Sequence, residues 1–132
     1  MPGTDILKHP IHLGRGASAV VEPDFTGNME WYRGYTSRHV ADGIEGRLVS
    51  MFTCSESWNM WEMHPNGSEV VLCTSGALTL HQESPDGKRR TVSLSPGEYA
   101  INAPGTWHTA DVAGSATAVF ITAGKDTQHR PR

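Results

Sequence analysis

Turn-forming residues recur at short intervals through this 132-residue chain and limit the length of any regular element. Clusters of glycine and proline separate short apolar segments, and the clearest clusters lie at 65–67, 75–76, 85–87, 95–97, 104–105 and 113–114. A turn roughly every eight to twelve residues is typical of a β-sandwich or a β-barrel. No segment shows a convincing helical period, so the pattern predicts an all-β fold.

The segments between the turns are rich in β-branched and aromatic residues, which favours strands. The predicted strands are 17–22, 29–35, 46–54, 57–64, 69–75, 77–83, 89–94, 98–102, 107–112 and 117–122. The chain divides into an N-terminal extension (1–45) that packs on the barrel, a barrel (46–124) and a loose polar tail (125–132). We expect the aromatic residues within 31–35 to serve in packing. Alternatively, they cover the mouth of a pocket or form a dimer contact.

Composition excludes several classes of function. The net charge is −3 and no basic stripe is present, so a nucleic-acid partner is not expected. No apolar run is long enough for a membrane span, and the N-terminus does not read as a secretory signal. Two cysteines, Cys54 and Cys73, fit a reduced cytoplasmic protein better than a disulfide-stabilised one. We therefore expect a cytoplasmic location.

Metal-ligand residue types concentrate around the turn at 65–68. Alternate residues of a strand share a face, so Glu62 and His64 point the same way. If the turn is a hairpin, His64 and Glu69 lie opposite each other, with Cβ atoms about 4.5 to 5.5 Å apart. Cys73 continues the face of Glu69. Local geometry thus predicts that three ionisable side chains converge.

A second segment places a glycine turn before Trp107 and His108, at the start of a predicted strand. The segment alone does not show where His108 points. Trp107 is the tryptophan best placed to form a pocket rim, and Cys73 is a possible pocket wall.

These two segments resemble the two motifs of the cupin superfamily, in particular its small single-domain barrels. Glu62, His64, Glu69 and Gly76 follow the spacing of the first motif. The second motif is matched in three positions, which are Gly97, Gly105 and His108. The resemblance implies a jelly-roll barrel, also called a double-stranded β-helix, and it implies that His108 reaches the same point as the other ligands.

The sequence departs from the family pattern at several positions. Glu62 replaces the first histidine of the usual His-x-His pair, Glu56 replaces a glycine, Ala103 replaces a proline and Val112 replaces a frequent asparagine. Only Glu62 affects a ligand position. Two histidines with one or two carboxylates suit one divalent ion, with iron, manganese, zinc or nickel as candidates. The second carboxylate favours manganese or iron.

No metal-binding role is expected for the remaining histidines. His9 and His12 are expected to be solvated, and no ligand partner is expected for His39, His81 or His129.

The leading functional hypothesis is a metal-dependent enzyme acting on a small polar molecule. Its reaction stays open between dioxygenase, isomerase, lyase and decarboxylase, because a fold does not determine a function. Glu62 is the candidate catalytic base, or else a fourth ligand. The alternatives are a non-catalytic module that binds or senses a small ligand, and a metal-free structural barrel. The resemblance also implies a homodimer.

Overall fold

The computed structural model describes residues 1–132 and consists mainly of antiparallel strands. The strands are β1 (Ile11–Gly14), β2 (Ser18–Val21), β3 (Arg47–Cys54), β4 (Met60–Met63), β5 (Glu69–Glu83), β6 (Arg89–Leu94), β7 (Tyr99–Asn102), β8 (Trp107–Thr122) and β9 (Gln128–Pro131). One helix, α1, spans Met29–Arg38, and 3-10 segments span Arg15–Ala17 and Val40–Glu45. The predicted all-β fold is confirmed.

Two long strands, β5 and β8, form the centre of the barrel. They pair along most of their length, from Val70 opposite Ile121 to Glu83 opposite Trp107. β8 also pairs with β3 and β4, and β5 also pairs with β6 and β7. The edge strands β1 and β2 continue from β3.

The turns predicted at 75–76 and 113–114 are irregularities within single strands rather than strand ends. The β5–β8 register shifts between Cys73 and Ser75 and again between Gly76 and Leu78. Gly76 has φ +73°, and a Cβ atom there would lie 2.1 Å from the Ser115 carbonyl oxygen. Only glycine fits this position without rearrangement, and the bulge bends both strands.

Alternate residues of β5 and β8 face the core. The buried core cluster consists of Val71, Cys73, Leu78, Leu80, Leu94, Ala100, Ala110, Ala116, Ala118 and Phe120. Burial of a leucine such as Leu78 or Leu80 stabilises the fold by about 1.5 to 3 kcal/mol. This apolar core fills one part of the barrel. Polar residues at the starts of β5 and β8 form a separate group.

The strand predicted at 29–35 is wrong, because this segment forms α1. The Asn28 side chain accepts a hydrogen bond from the Trp31 amide at 2.8 Å and caps the helix. Trp31 and Tyr35 are one helical turn apart and stack at 5.8 Å. Trp31 is the only buried residue of α1, so the sequence shows no helical period. The cap and tertiary packing outweigh the β propensity of the aromatic residues.

The tail is not loose, because β9 pairs with β4 from Met60 to Met63. The Arg130 guanidinium lies over the Trp61 ring at 5.1 Å and over the Trp107 ring at 4.5 Å. Cation–π contacts and strand pairing therefore hold the C-terminus on the barrel.

His12 is buried rather than solvated, with 1% of its surface exposed. Its Nδ1 lies 2.6 Å from the Tyr35 hydroxyl and its Nε2 lies 2.6 Å from Asp42 Oδ2. Its ring also stacks on His39, whose Nε2 contacts the buried Glu22 carboxylate. This network joins β1 to α1. No helix in the structure is long and apolar enough to cross a membrane.

Candidate metal centre

Four side chains converge at one end of the barrel. Glu62 lies on β4, His64 directly follows β4, Glu69 begins β5, and His108 is the second residue of β8. One ligand atom from each lies within 4.8 Å of all the others. Glu62 and His108 are direct neighbours across the β4–β8 ladder. The structure thus brings together the four residues that the sequence pointed to as metal ligands.

The two imidazoles and the two carboxylates alternate around a common point. His64 Nε2 lies 3.0 Å from Glu62 Oε1 and 3.2 Å from Glu69 Oε2. His108 Nε2 lies 3.1 Å from Glu69 Oε1 and 3.6 Å from Glu62 Oε1. Each imidazole therefore has both carboxylates as neighbours.

The hairpin expected at 65–68 does not form. β4 pairs with β8 and β9, whereas β5 pairs with β6, β7 and β8. The turn instead carries the chain from one part of the barrel to another, and His64 and Glu69 meet across the interior. Their expected proximity holds, but local strand pairing is not its cause.

Two buried nitrogen atoms in the cluster lack hydrogen bonds. His64 Nε2 and His108 Nε2 are both inaccessible to solvent, and neither has a partner with hydrogen-bond geometry. The nearby carboxylate oxygens lie off the direction in which an N–H bond would point. An unpaired buried polar atom costs about 1 to 3 kcal/mol, so a group that satisfies both nitrogens would stabilise the protein. Two imidazoles and two carboxylates are a donor set that fits a divalent transition-metal ion.

The Nδ1 atom of each imidazole points away from the cluster and has a partner that orients the ring. The Thr127 hydroxyl donates to the Gly124 carbonyl at 2.8 Å, so it accepts from His64 Nδ1 at 2.7 Å. His108 Nδ1 faces the Thr106 carbonyl at 3.3 Å, and a carbonyl only accepts. Both rings therefore carry a proton on Nδ1, which leaves Nε2 as the metal-binding atom in the neutral form.

Glu69 is held by a relay of polar side chains. Its carboxylate accepts from Asn102 Nδ2 at 3.1 Å and from the Thr122 hydroxyl at 2.7 Å. The Gln82 amide in turn donates to Asn102 Oδ1 at 2.7 Å, and Arg90 Nε donates to Gln82 Oε1. The relay extends from the buried carboxylate to the exposed β6 strand and fixes the orientation of Glu69.

Glu62 differs from the other three in exposure and in its extra partner. Its side chain is 28% exposed, whereas that of Glu69 is 3% exposed. His129 of β9 lies 3.2 Å from Glu62 Oε2. Sequence analysis missed His129, because β9 joins the site by pairing with a strand more than sixty residues earlier. No local signal in the tail could have revealed this contact.

The two predicted pocket residues lie outside this cluster. Cys73 is fully buried in the core, where its thiol contacts the Ser75 and Gly76 carbonyl oxygens at 3.5 Å and 3.8 Å. Trp107 precedes His108 on β8, so its ring is on the opposite face of the strand and stacks under Arg130.

The charges of the cluster shift the pKa values of its members strongly. Burial alone would favour the neutral forms, but the short contacts between carboxylates and imidazoles outweigh it. The pKa of Glu69 falls to about 2, and the pKa of Glu62 is also well below its usual range. The pKa of His64 rises to about 9 and that of His108 to about 10. Without metal, two protonated imidazoles thus balance two carboxylates.

No protein-family profile and no curated protein matches this chain. Among solved structures, an uncharacterised double-stranded β-helix protein from Klebsiella pneumoniae has a TM-score of 0.53 and 20% identity, over 65% of this chain and 76% of that one. The two structures therefore share their architecture over about two thirds of this chain. The chain has the cupin fold.

Two further solved structures with a similar fold are named for an activity. Peruvianin-I, a cysteine peptidase from Thevetia peruviana latex, has a TM-score of 0.52 and 23% identity, over 65% of this chain and 55% of that one. Hydroquinone 1,2-dioxygenase from Sphingomonas sp. TTNP3, with 4-hydroxybenzoate bound, has a TM-score of 0.51 and 15% identity, over 58% of this chain and 59% of that one. The chain thus spans little more than half the length of either protein.

The metal-free protein is expected to lose stability as the pH rises from about 7 to about 10. His64 and His108 hold their protons up to about pH 9 and about pH 10 when folded, against 6.5 as the ordinary value. Their stabilising contribution is therefore complete below 6.5 and disappears as the pH rises through the folded values. Denaturant unfolding of chelator-treated protein at a series of pH values measures this loss.

The double variant His64→Gln/His108→Gln provides the reference, because it keeps side chains of similar size without titrating in this range. Its free energy of unfolding should change less over the same pH range. An identical pH dependence in both proteins would contradict the assigned charge states.

Proposed function

We propose that this cupin is a metal-dependent enzyme acting on a small polar molecule. The observation that carries the proposal is the pair of buried Nε2 atoms, on His64 and His108, that face two carboxylates and make no hydrogen bond. The nearest carboxylate oxygens lie 3.0 to 3.2 Å from these atoms but off the direction of an N–H bond, so both nitrogens can face an ion between the four side chains. The contacts that orient His64, Glu69 and His108 support the same conclusion, because metal ligands in proteins are typically held in place by such hydrogen bonds.

Each residue has a distinct role in this proposal. His64, Glu69 and His108 hold the ion, and iron, manganese, zinc and nickel are the candidates. When bound, the ion supplies Lewis acidity, or dioxygen activation if it is iron. Glu62 is the fourth ligand or the base. As a base it accepts a substrate proton on Oε1, while Oε2 faces His129, whose side chain is 43% exposed and leads to solvent.

The type of reaction is open between dioxygenase, isomerase, lyase and decarboxylase. The shared fold of the Sphingomonas dioxygenase supports an enzyme that acts on a small organic molecule. A cysteine-peptidase activity, as named for Peruvianin-I, lacks support here. The Cys73 thiol is enclosed by backbone carbonyls, and neither Cys54 nor Cys73 has a histidine partner to activate it.

Protein purified without chelator or affinity metal should contain close to one equivalent of a divalent transition metal. The variant His64→Gln should lose most of it, because a ligand is removed while the size of the side chain is kept. The control is His81→Gln, since His81 contacts Asp111 and Thr91 on another part of the barrel. Elemental analysis measures the metal content of the three proteins.

Equal metal content in wild type and His64→Gln would refute the site, and a wild type that takes up no metal on titration would refute the proposed function. Metal without an open coordination position would favour the binding or sensing role over catalysis.

The variant Glu62→His should shift metal preference from manganese towards zinc or nickel. The change replaces a hard oxygen donor by an imidazole and gives three histidines and one carboxylate. We expect the ratio of the manganese and zinc dissociation constants to rise by roughly tenfold or more, which corresponds to about 1.4 kcal/mol. Competitive titration of both proteins measures the ratio, and an unchanged ratio would show that Glu62 is not a ligand.

We also propose that the protein is a homodimer. The edge strand β2 supports this, because Val20 and Val21 are 43% and 61% exposed and one side of the strand is unpaired. Sedimentation at micromolar concentration should give twice the monomer mass, and a monomer under these conditions would contradict the proposal.

A further inference from the structure

A cleft of about 260 Å³ lies between the start of β6 and the turn that follows β7. Three consecutive basic residues, Lys88, Arg89 and Arg90, contribute to its walls, and they form the only run of three Lys or Arg residues in the chain. No Asp or Glu residue lines the cleft. It is therefore a local positive region on a protein whose net charge is −3.

The three basic side chains differ in how far their charge is already balanced. Arg89 Nε lies 2.8 Å from Glu83 Oε1, and Lys88 Nζ lies 3.7 Å from Asp86 Oδ2. The Lys88 pair is exposed and long, so it contributes little and leaves the ammonium group available. Arg90 forms no ion pair, and its terminal Nη atoms have no hydrogen-bond partner in the protein. Arg90 thus supplies the main uncompensated charge of the cleft.

The buried side chain of Gln82 holds the Arg90 guanidinium in place. Arg90 Nε donates to Gln82 Oε1, and the Gln82 amide donates to the Ile101 carbonyl at 3.0 Å and to Asn102 Oδ1 at 2.7 Å. Gln82 is only 4% exposed, so the protein rather than solvent sets its orientation. A guanidinium that is already held at Nε loses less conformational entropy when its Nη atoms bind an anion. Arg90 therefore differs from a freely mobile surface charge.

Thr106 adds a polar group that lacks a partner. It lines the cleft and is only 7% exposed, yet its hydroxyl makes no hydrogen bond within the protein. Because a nearly buried hydroxyl normally has a partner, a ligand in the cleft would supply the missing one. Arg90, Lys88 and Thr106 together offer N–H and O–H donors with a positive charge, and this combination suits an oxyanion.

We propose that this cleft is a second ligand site, which binds a small oxyanion with the charge and shape of a phosphate group. Arg90 holds the anion through its Nη atoms, Lys88 adds positive charge, and the Thr106 hydroxyl donates to a further oxygen. Two amide side chains lie along the hydrogen-bonded route from Arg90 to Glu69, so the anion is not a ligand of the metal centre. The proposal stands independently of the proposed function.

The test titrates inorganic phosphate and, separately, acetate into the purified protein at constant ionic strength. At about pH 8 phosphate is mostly a dianion. Phosphate should therefore bind at least about tenfold more tightly than acetate, because it offers more charge and more acceptor oxygens to Arg90 and Lys88. Isothermal titration calorimetry measures both dissociation constants. Glycerol phosphate is the third ligand: tighter binding than inorganic phosphate identifies an organic phosphate as the occupant, and the reverse order identifies the free ion.

Two variants and a matched control locate the bound anion. Arg90→Gln should weaken phosphate binding about tenfold or more, since it removes the charge and the two Nη donors. Thr106→Val keeps the size of the side chain, removes the hydroxyl and should weaken phosphate binding about three- to tenfold. The control is Arg47→Gln, which removes the same charge from an exposed position on β3 and should change binding less than about twofold.

The outcomes also separate this site from the metal centre. Equal weakening by Arg90→Gln and Arg47→Gln would show that phosphate responds only to net charge, and would overturn the site, as would the absence of phosphate binding at millimolar concentration. Phosphate binding that persists in His64→Gln supports the cleft, whereas binding lost together with the metal would place the anion on the ion instead. Unchanged thermal melting of the variants shows that weaker binding does not reflect unfolding.

Discussion

Closure of the barrel is the constraint on which the site depends. Glu69 directly precedes one end of the β5–β8 ladder, and His108 lies near the other end, opposite Gln82. Gln82 is thirteen positions after Glu69 along β5, and a flat strand of that length would span about 40 Å. Yet the side chains of Glu69 and His108 meet at 3.1 Å. The ladder must therefore curl back on itself, and the bulge at Gly76 is where β5 bends.

Closure places charged groups in a poorly solvated space, and their charges must be balanced there. Two carboxylates and two neutral imidazoles would leave the carboxylates repelling each other. Either two protons on the imidazoles or one divalent cation removes the repulsion. Metal binding therefore displaces protons, and the same raised imidazole pKa values that stabilise the metal-free fold lower the apparent metal affinity at neutral pH.

The sequence could predict those features whose interacting residues lie close together along the chain. Strand alternation and short turns are local, so the all-β class and the shared direction of Glu62 and His64 were accessible. The position of His108 depends on closure, and only the family resemblance indicated it. The tail and His129 were misjudged because their partners lie far away in sequence. α1 was missed because one buried tryptophan and one asparagine cap leave no periodic pattern.

The long-range contacts that sequence analysis missed are those that distinguish this barrel. The C-terminal segment contributes Thr127, which orients His64, and His129, which contacts Glu62. The N-terminal segment contributes α1, whose Tyr32 lines a cavity of about 400 Å³ together with Phe25 and Phe52. A barrel alone can position ligands, but its open side needs a cover that sets which molecule reaches them. In this protein both ends of the chain fold onto the barrel and the C-terminal segment contacts the cluster, so the determinants of specificity are expected in those ends rather than in the ladder that closes the barrel.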